Sequence, residues 1–445
     1  MGSTKTQSGN LKALVCSEID NNKEKLISVA KEILENPETG FKEFNTSKIV
    51  AREFMSLGME FVDQIAITGL KSKLDSGFAG PNIAVIGELD SVKVAGHPYQ
   101  DSESIAAHAC GHHCQIAMML GVAIGLKAKG VLDNLSGKIT FMAVPAEEYI
   151  EIEYRDDLRR NGIIEFLGGK PEFVRLGHFD DVDMAIMTHT TSQSSKITLA
   201  ATNNGMVGKS IKFSGVASHA GGAPHLGINA LNAAMLAMTA IHAQRETYRD
   251  EDSIRIHPII TKGGTSVSSV PDEVRMETYV RGASIEAFLS ASEKVDRALR
   301  AGAIAMGASV DITTLPGYLP IINNESLLAI YELNAKQLVG KKNLNTELIH
   351  GAGSTDMGDI SQLMPVIHPY VGAASGKGHG LDYVIEDYEL AVVTSAKAMA
   401  LTVIDLLMDG SKVGGKIVID TISPLNKESY LSLLRNMTKD ETFQY

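Results

Sequence analysis

Apolar residues recur along the chain at two spacings, one typical of helices and one typical of short buried strands. Residues 11–35 carry apolar side chains at helical spacing, and residues 45–57, 114–129, 324–338 and 385–408 also favour helices. The short apolar runs at 82–89, 138–144 and 184–187 are typical of buried strands. Strands that alternate with helices predict an α/β layer architecture.

The pattern changes after residue 205. A strand at 207–213, a helix at 228–245, strands at 253–260 and 274–280, a helix at 284–306 and a strand at 309–314 follow one another. This βαββαβ order is that of the split-βαβ, ferredoxin-like sandwich. The sequence therefore predicts one α/β domain formed by residues 1–204 and 317–445, with a smaller domain of residues 205–316 inserted into it.

The charge and the cysteine content limit where the protein works and what it binds. The 445 residues include 41 Lys and Arg against 53 Asp and Glu, which gives a formal net charge of −12. Such a balance disfavours binding to a nucleic-acid backbone, and no apolar run approaches the ~20 residues of a membrane span. Three cysteines do not make a disulfide framework. We therefore expect a cytoplasmic protein that binds neither nucleic acid nor a membrane.

Residues 108–114 concentrate side chains that bind metals. They include three His and two Cys in seven positions, directly before an apolar helical stretch. Thiolate and neutral imidazole are good ligands for Zn²⁺ and similar ions, and Cys110 and His112 would project from the start of that helix. The segment alone leaves open the alternative of a helix cap with incidental histidines.

Further candidates follow separate strands or a glycine-rich turn. Glu147 and Glu148 come after the strand at 138–144, Asp90 ends the strand at 82–89, and His189 follows the strand at 184–187. His379 lies in a Gly-Lys-Gly-His-Gly turn, where the backbone can approach a ligand closely. Each of them alone also fits a turn, a cap or a solvated surface. Because strand ends meet at one edge of an open α/β sheet, together they predict ligands for two metal ions and one spare carboxylate.

The inserted domain contains one unusual segment, residues 218–230, which joins a strand to a helix with two His and many small residues. His219 would be able to donate a hydrogen bond to a developing oxyanion. The segment by itself also fits an ordinary strand-to-helix loop.

In order and spacing, these motifs resemble the metal-dependent amidohydrolases of the aminoacylase and carboxypeptidase superfamily. The resemblance is to the branch of hippurate hydrolases, indole-acetyl-amino-acid hydrolases and aminobenzoyl-glutamate hydrolases, and it runs over nearly the whole chain. It is carried by residues 36–43, 87–90, 108–112, 145–148, 177–183, His189, 217–221, 229–230, 263–264, 270–272, Arg281, 354–356 and 378–380.

The resemblance implies a mixed-sheet metallohydrolase catalytic domain and an inserted ferredoxin-like domain through which the protein dimerises. It also implies two divalent metal ions, Mn²⁺ or Zn²⁺. Cys110 would bridge the two ions, and His112, Glu148, His189 and His379 would complete their protein ligands.

The resemblance further implies roles for residues that do not bind metal. Glu147 would act as general base and then as proton donor, and Asp90 would orient a ligand. His219 would reach into the active site of the partner in a homodimer. Asn229 and Arg281 would contact the substrate, with the guanidinium of Arg281 suited to a substrate carboxylate.

Two departures from the family pattern affect these expectations. Glu88 stands where the wider superfamily has a metal-binding His, and residues 149–160 are more charged than the glycine-rich segment usual in the family. We expect residues 149–160 to line the substrate pocket, so the usual substrate does not follow automatically.

The predicted reaction is hydrolysis of the amide bond of a small molecule, an N-acyl or N-aroyl amino acid such as an aminobenzoyl-glutamate-like compound, by activated water. A dipeptidase or aminopeptidase that requires a free α-amine, and a hydrolytic deaminase of an aromatic amine, stay open as alternatives. A non-catalytic binding protein would have lost a ligand or the base, and neither is lost here. A hydrolase with Cys110 or Cys114 as nucleophile would survive a metal chelator.

Overall fold

The computed structural model describes residues 2–199 and 201–444, with side chains described from Gln7 onward. Its helices, in chain order, are α1 (Gly2–Asn21), α2 (Lys23–Leu34), α3 (Phe44–Ser56), α4 (His112–Leu126), α5 (Ile152–Arg160), α6 (Gly169–Arg175), α7 (Ala230–Ala243), α8 (Ile285–Met306), α9 (Glu325–Val339), α10 (Met357–Ser361), α11 (Ser395–Asp420) and α12 (Lys427–Met437). Its strands are β1 (Phe61–Ile65), β2 (Gly69–Asp75), β3 (Asn82–Glu88), β4 (Val92–Lys93), β5 (Ala106–Ala107), β6 (Lys138–Val144), β7 (Met184–Ile186), β8 (His189–Thr191), β9 (Ile197–Thr198), β10 (Ala201–Asn203), β11 (Gly205–Ser214), β12 (Arg255–Ile256), β13 (Ile259–Lys262), β14 (Glu273–Gly282), β15 (Ser309–Pro316), β16 (Leu344–Asn345), β17 (Ile349–Gly351), β18 (Val366–Ile367), β19 (Tyr370–Gly372), β20 (Ala374–Ser375), β21 (Val384–Ile385) and β22 (Lys439–Phe443).

A six-stranded mixed sheet forms the centre of the larger part of the molecule. Its strand order is β1-β2-β6-β3-β7-β18. Strands β6, β3, β7 and β18 run parallel, whereas β1 and β2 extend one edge in antiparallel orientation. Every residue of β3 is buried, as expected for a parallel strand that is covered on both faces. The predicted α/β class is confirmed.

Helix α4 packs against β3, and α1, α2 and α11 pack against α4. All 15 residues of α4 are buried, which explains why its sequence is apolar on every side. The helix that the sequence predicted at 11–35 is divided in the structure, because α1 ends at Asn21 and α2 begins at Lys23.

The long apolar helix near the end of the chain also departs from its predicted bounds. A π-helical turn at Glu389–Thr394 leads into α11, and non-helical backbone at Met408–Ser411 interrupts α11 where the sequence predicted its end. By length and composition, residues Glu389–Asp420 would be able to cross a membrane, but 83% of their most apolar window is buried inside the molecule. This burial is that of a core helix.

The predicted βαββαβ order is present in the inserted segment. Strand β11, helix α7, strands β12 and β13, strand β14, helix α8 and strand β15 follow one another, and the sheet order is β12-β14-β11-β15 with β13 also paired to β14. Residues along β14 are alternately buried and half-buried, so one face of the sheet packs under α7 and α8. The other face is turned toward the larger part of the molecule, where the Tyr279 hydroxyl donates a hydrogen bond to the carbonyl of Tyr149.

The C-terminal strand β22 does not belong to the sheet of the larger domain, to which the sequence analysis assigns its residues. Residues 317–445 were assigned to the larger domain, but Lys439–Phe443 pairs antiparallel with β15 and so extends the sheet of the inserted segment. Five residue pairs join the two strands, from Val310↔Phe443 to Thr314↔Lys439. The sheet therefore contains a strand from outside the inserted segment.

Candidate active site

The parallel strands of the central sheet end at one edge, and the candidate side chains follow these ends. Asp90 comes two residues after β3, Glu147 and Glu148 come after β6, and His189 comes after β7. His112 is the first residue of α4, which packs on β3. An open sheet with parallel strands places its sites at this edge, so the fold itself gathers these groups.

The five predicted metal ligands lie together around one thiol. The donor atoms of Cys110, His112 and His189 lie within 4.8 Å of one another, and so do those of Cys110, Glu148 and His379. The Cys110 Sγ lies 3.3 Å from His189 Nε2, and His379 Nε2 lies 3.0 Å from Glu148 Oε1. Cys110 is thus common to two triads, which is the arrangement expected of a ligand that bridges two ions.

Hydrogen bonds fix how two of the imidazoles face the thiol. His112 Nδ1 lies 2.9 Å from the carbonyl oxygen of Asp90, and His189 Nδ1 lies 2.6 Å from the carbonyl oxygen of Thr190. Because a carbonyl oxygen can only accept, each Nδ1 carries a proton, which leaves Nε2 as the nitrogen that faces the thiol. Each Nε2 is therefore the nitrogen through which a metal ion would be bound.

Asp90 holds two elements of the site at once. One of its carboxylate oxygens lies 3.2 Å from His112 Nδ1, and the other accepts a hydrogen bond of 2.8 Å from the backbone N–H of Glu148. The side chain is fully buried. Asp90 therefore ties the start of α4 to the loop after β6 and orients a candidate ligand on each.

The donor set fits divalent metal ions by its unpaired atoms and its charge. His112 Nε2 and Glu148 Oε1 are buried and form no well-directed hydrogen bond, although each faces a charged side chain, Glu88 and His379 respectively, and buried polar atoms nearly always form one. Burial and the Glu148 carboxylate act to raise the pKa of the Cys110 thiol, but the imidazoles of His189 and His112 outweigh them and lower this pKa to about 6. A thiolate, two imidazoles and a carboxylate are together a good ligand set for Zn²⁺ and related ions.

Glu147 belongs to neither of the triads around Cys110, although its donor atom lies within 4.8 Å of those of Glu88 and His112 in a third group. Its Oε2 lies 3.9 Å from His112 Nε2, and its side chain lines an enclosed cavity of about 240 Å³ together with Cys110 and His379. Burial, and then the carboxylates of Glu88 and Glu148, raise the pKa of Glu147 well above its usual value. A carboxyl group in such surroundings can take up and hold a proton near neutral pH.

A buried guanidinium supports the loop that carries Glu147 and Glu148. Arg155 on α5 is fully buried and donates hydrogen bonds to the carbonyl oxygens of Glu148, at 2.5 Å, and Leu167, at 2.8 Å. Ala146, the residue before Glu147, has a φ of 56°, a backbone conformation that costs energy in a residue with a Cβ. The charged stretch 149–160 lines the enclosed cavity only through Tyr149 and Ile150, and its helical part supports the loop from behind.

A buried ion cluster that the sequence analysis did not predict lies behind the site. The Lys170 ammonium, which is fully buried, lies 2.5 Å from Glu88 Oε1 and also contacts Asp356 Oδ1. Glu88 Oε2 has no hydrogen-bond partner and lies 3.2 Å from His112 Nε2. Glu88, which stands at the position of the superfamily's metal-binding His, thus faces the imidazole of His112, one of the candidate ligands.

His368 is a second residue that the sequence analysis missed. It is buried, lines the enclosed cavity, and packs edge-on against the His189 ring with the ring centres 5.8 Å apart. Its Nε2 has no hydrogen-bond partner. It directly follows β18, the next parallel strand of the sheet, so the strand-end argument that pointed to His189 also applies to it.

Arg281 of the inserted segment lies at the junction of two cavities. It lines the enclosed cavity and also an adjoining, more open one of about 510 Å³, and both cavities contain Cys110, His189 and His379. Its guanidinium stacks over the Tyr279 ring, 4.9 Å from the ring centre, and its Nε has no hydrogen-bond partner. Arg281, the residue predicted to bind a substrate carboxylate, therefore lies beside the candidate metal ligands.

Two of the predicted residues lie apart from these cavities in the single chain. The His219 side chain accepts hydrogen bonds from the backbone of Gly221 and Gly222 within its own loop. Asn229 accepts a hydrogen bond from the backbone N–H of Asn232 and so caps α7. Neither lines a cavity with the candidate ligands, and their expected contribution to a partner's site stays a prediction.

Comparison with known proteins gives relatives across most of the chain. A family model described as a peptidase dimerisation domain matches residues 201–306. A mouse Xaa-Arg dipeptidase is 28% identical over 351 residues, which are 76% of this chain and 73% of that protein. An IAA-amino acid hydrolase of Arabidopsis thaliana is 25% identical over 358 residues, which are 78% of this chain and 77% of that protein.

Solved structures share the fold at lower identity. A dinuclear metal-binding peptidase of the M20 family from Bacillus subtilis has 20% identity and a TM-score of 0.60, with 87% of this chain and 99% of that chain covered. An aminobenzoyl-glutamate utilization protein from Klebsiella pneumoniae has 18% identity and a TM-score of 0.64, with 87% and 97% covered. The predicted combination of a catalytic α/β part and an inserted ferredoxin-like part is the architecture of these neighbours.

Proposed function

We propose that this chain, a hydrolase of the M20 family of peptidases and amidohydrolases, hydrolyses the amide bond of N-acyl or N-aroyl amino acids. One observation carries the proposal: two triads of metal-binding groups share Cys110, and the carboxylate of Glu147 lies beside them without being part of either. This combination is what water-dependent cleavage of an amide requires. A nucleophilic role for the Cys110 thiol is not favoured, because Cys110 belongs to both triads and its sulfur would be occupied by metal ions.

The metal ions would be held by groups from four parts of the fold. Cys110, His112 and His189 would bind one ion, and Cys110, Glu148 and His379 would bind the other. Divalent ions bound there supply positive charge that polarises a carbonyl group and lowers the pKa of water. The mixed thiolate, imidazole and carboxylate set is compatible with both Zn²⁺ and Mn²⁺.

Glu147 would move the proton that the reaction transfers. It would accept the proton of the attacking water at its carboxylate and then deliver that proton to the nitrogen of the leaving amine. Its burial would shield the proton from solvent between these two events. The carboxylate of the substrate's amino acid half would bind Arg281, whose guanidinium has an unpaired Nε at the junction of the two cavities.

The inserted domain would join two copies of the chain into a homodimer. Met235 and Leu236 on α7, and Ile259 and Ile260 on β13, leave 56%, 44%, 58% and 39% of their surface exposed. Apolar residues that are exposed together mark association surfaces. In such a dimer, His219 and Asn229 of the partner subunit would complete the oxyanion and substrate contacts, which would explain their distance from the cavities of their own chain.

The location of the protein is proposed from its thiols. Cys16, Cys110 and Cys114 are all free, and no disulfide joins any of them within the described residues. Free thiols, one of them a proposed metal ligand, suit a reducing compartment such as the cytoplasm.

The test is a screen of N-acyl and N-aroyl amino acids with added Mn²⁺, Zn²⁺ or Co²⁺, with the Glu147→Gln variant as the mechanistic comparison. We expect the wild type to release free amino acid, and we expect Glu147→Gln to keep its metal content by elemental analysis while kcat falls by about 10³-fold or more, since the water loses its proton acceptor. Removal of metal with a chelator should abolish the wild-type activity.

Free dipeptides in the same screen distinguish the alternative of a dipeptidase. Rates on free dipeptides that exceed those on acylated amino acids would replace the proposed substrate class. Near-normal turnover by Glu147→Gln would remove Glu147 from the proton transfer, and full activity in the presence of the chelator would reject the metal-dependent mechanism.

A further inference from the structure

Two arginines of the inserted segment face each other directly across neighbouring strands. Arg255 on β12 is the register partner of Arg281 on β14, and the next pair along, Ile256 and Val280, is buried under the helices. Because successive residues of a strand point to opposite faces, Arg255 and Arg281 lie together on the face turned toward the candidate metal ligands. His257, two residues after Arg255, follows the same alternation.

These three cationic or proton-donating groups line the open cavity of about 510 Å³ with Cys110 and His379. Arg281 also lines the enclosed cavity beside Glu147, whereas Arg255 and His257 line the open one and, on its outer side, a further cavity with Arg245 and Arg249. Arg281 is therefore near the reaction centre, and Arg255 and His257 are farther out along the same wall.

No carboxylate of the described residues forms a salt bridge with either of these guanidinium groups. Within residues 7–199 and 201–444, neither Arg255 nor Arg281 forms a salt bridge, and the Arg255 guanidinium donates a hydrogen bond of 2.9 Å to the adjacent carbonyl of Ile254. Like charges directly opposite each other on adjacent strands are destabilising. Arg255 is exposed and Arg281 is half-buried, so in a chain of net charge −12 this pair of like charges is open to an anion from solvent.

The surroundings add further positive charge. Burial, and then the guanidinium groups of Arg245, Arg281 and Arg255, lower the pKa of His257. Its imidazole is therefore neutral at pH 7, and a neutral imidazole can still donate one hydrogen bond to an anion.

We infer that Arg255 and His257 form a second carboxylate site, so that the preferred substrates are amides of dicarboxylic amino acids. This inference rests on the proposed function and specifies its substrate. The α-carboxylate of the amine half binds Arg281 beside the metal ligands, and the side-chain carboxylate extends along the open cavity to Arg255 and His257. A cationic side chain in the same position meets two guanidinium groups and is disfavoured.

The test compares kcat/KM of the metal-loaded enzyme for N-acetyl-L-glutamate, the isosteric but neutral N-acetyl-L-glutamine, and N-acetyl-L-arginine. We expect the glutamate compound to exceed the glutamine compound by about tenfold or more, because a hydrogen bond to a charged group is worth more than one to a neutral group. The arginine compound should be the poorest of the three. Equal rates on the glutamate and glutamine compounds would overturn the inference.

The Arg255→Gln variant should bring the glutamate-to-glutamine ratio of kcat/KM to about one, through a much larger loss on the glutamate compound than on the glutamine compound. Arg249→Gln is the matched control, because Arg249 is exposed on the loop before β12 and lines neither cavity with the metal ligands. His257→Asn should lower the same ratio and serves as the second variant if Arg255→Gln folds poorly. An equal loss on both substrates, or an equal effect of Arg249→Gln, would contradict a role in specificity.

A binding measurement separates this inference from the proposed reaction. By calorimetry, free L-glutamate should bind the wild type about tenfold or more tightly than L-glutamine, and Arg255→Gln should remove the difference. If no N-acyl amino acid is hydrolysed but this difference is found, the proposed function fails and the second carboxylate site stands. If the two amino acids bind equally, the carboxylate site fails whatever the enzyme hydrolyses.

Discussion

At the scale of single residues, the candidate metal centre depends on one glycine between two of its ligands. Gly111 has a φ of 94°, a conformation that disfavours a side chain, and a Cβ added there would lie 1.9 Å from Thr190 Oγ1. Thr190 follows His189 and donates a hydrogen bond to the carbonyl oxygen of Cys110. The absence of a side chain at Gly111 therefore lets the segments that carry Cys110 and His189 come together.

We predict that Gly111→Ala loses metal as well as stability, since the added Cβ displaces Thr190 and with it His189. Elemental analysis should find the metal content clearly reduced, and the thermal midpoint should fall. Gly130→Ala is the control, because Gly130 has a φ of 82° but nothing within 4 Å of the added Cβ. That variant should lose only about 1 kcal/mol through backbone strain, with full metal content. Normal metal content in Gly111→Ala would show that the close approach to Thr190 is not required.

The buried residues around the site show what a single sequence can and cannot predict at this scale. Cys110, His112 and His379 belong to dense or glycine-rich motifs, so their chemistry is visible in the sequence. Lys170 lies in an ordinary stretch of chain, and nothing local distinguishes it from a solvated lysine. Its burial between Glu88 and Asp356 follows from contacts that are distant in sequence, and so it was not predicted.

At the scale of secondary structure elements, Glu151 holds the start of α5 to two other segments. Its carboxylate accepts hydrogen bonds from Thr39, at 2.7 Å, Lys42, at 2.9 Å, and Lys93, at 2.8 Å, and its own φ is 55°. Burial acts to raise the pKa of Glu151, but the hydrogen bonds from Lys93, Thr39 and Lys42 outweigh it and lower this pKa to about 2. The loop with Glu147 and Glu148 lies directly before this junction.

We predict a pH-dependent contribution of this junction to stability. A carboxyl group whose pKa is lower in the folded than in the unfolded chain stabilises the fold above its unfolded pKa, and the contribution is lost as the pH falls through the folded value. Glu151→Gln should therefore cost about 2 kcal/mol at pH 7, and the difference from wild type should shrink from pH 5 toward pH 2. Urea unfolding at several pH values measures it. The control is Glu103→Gln in an exposed loop, and a pH-independent cost for Glu151→Gln would contradict the ion-pair origin.

Most elements were predictable because their apolar positions repeat with a clear period. Strands β3 and β6 and helices α3 and α9 lie within two residues or so of their predicted bounds. Strand β22 was missed because its sequence, Lys439–Phe443, is mostly polar and pairs with a strand far away along the chain. The division at Asn22 was missed because the apolar spacing of α1 and α2 continues across it.

At the scale of the whole molecule, the proposed dimer has a direct test. We predict that the wild type is a dimer and that Ile259→Glu is a monomer, because a buried charge on β13 would disrupt the apolar contact between copies. Size-exclusion chromatography with light scattering measures the mass. Ile419→Glu is the control, since Ile419 is 82% exposed on α11, outside the inserted domain.

The same variants connect the oligomeric state to catalysis. If His219 of the partner subunit completes each site, Ile259→Glu should lose activity along with the dimer, and a mixture of His219→Asn and Glu147→Gln chains should recover part of it. A wild-type monomer with full activity would reject both the dimer and the shared site. A fully active monomeric Ile259→Glu would reject the shared site alone.

The pairing of β22 with β15 also limits how the two parts of the molecule can rotate against each other. The chain passes between them before β11 and after β15, and these two crossings alone would form a simple hinge. The last strand provides a third connection between the two parts. Helix α12 packs its buried residues Tyr430 and Leu434 into the molecule, and β22, which follows it in the chain, pairs with β15. A large rotation of one part away from the other must either move α12 with the inserted segment or break the five residue pairs between β15 and β22. The two parts should therefore rotate against each other only through small angles. Substrates should enter through the open cavity rather than by a wide separation of the two parts.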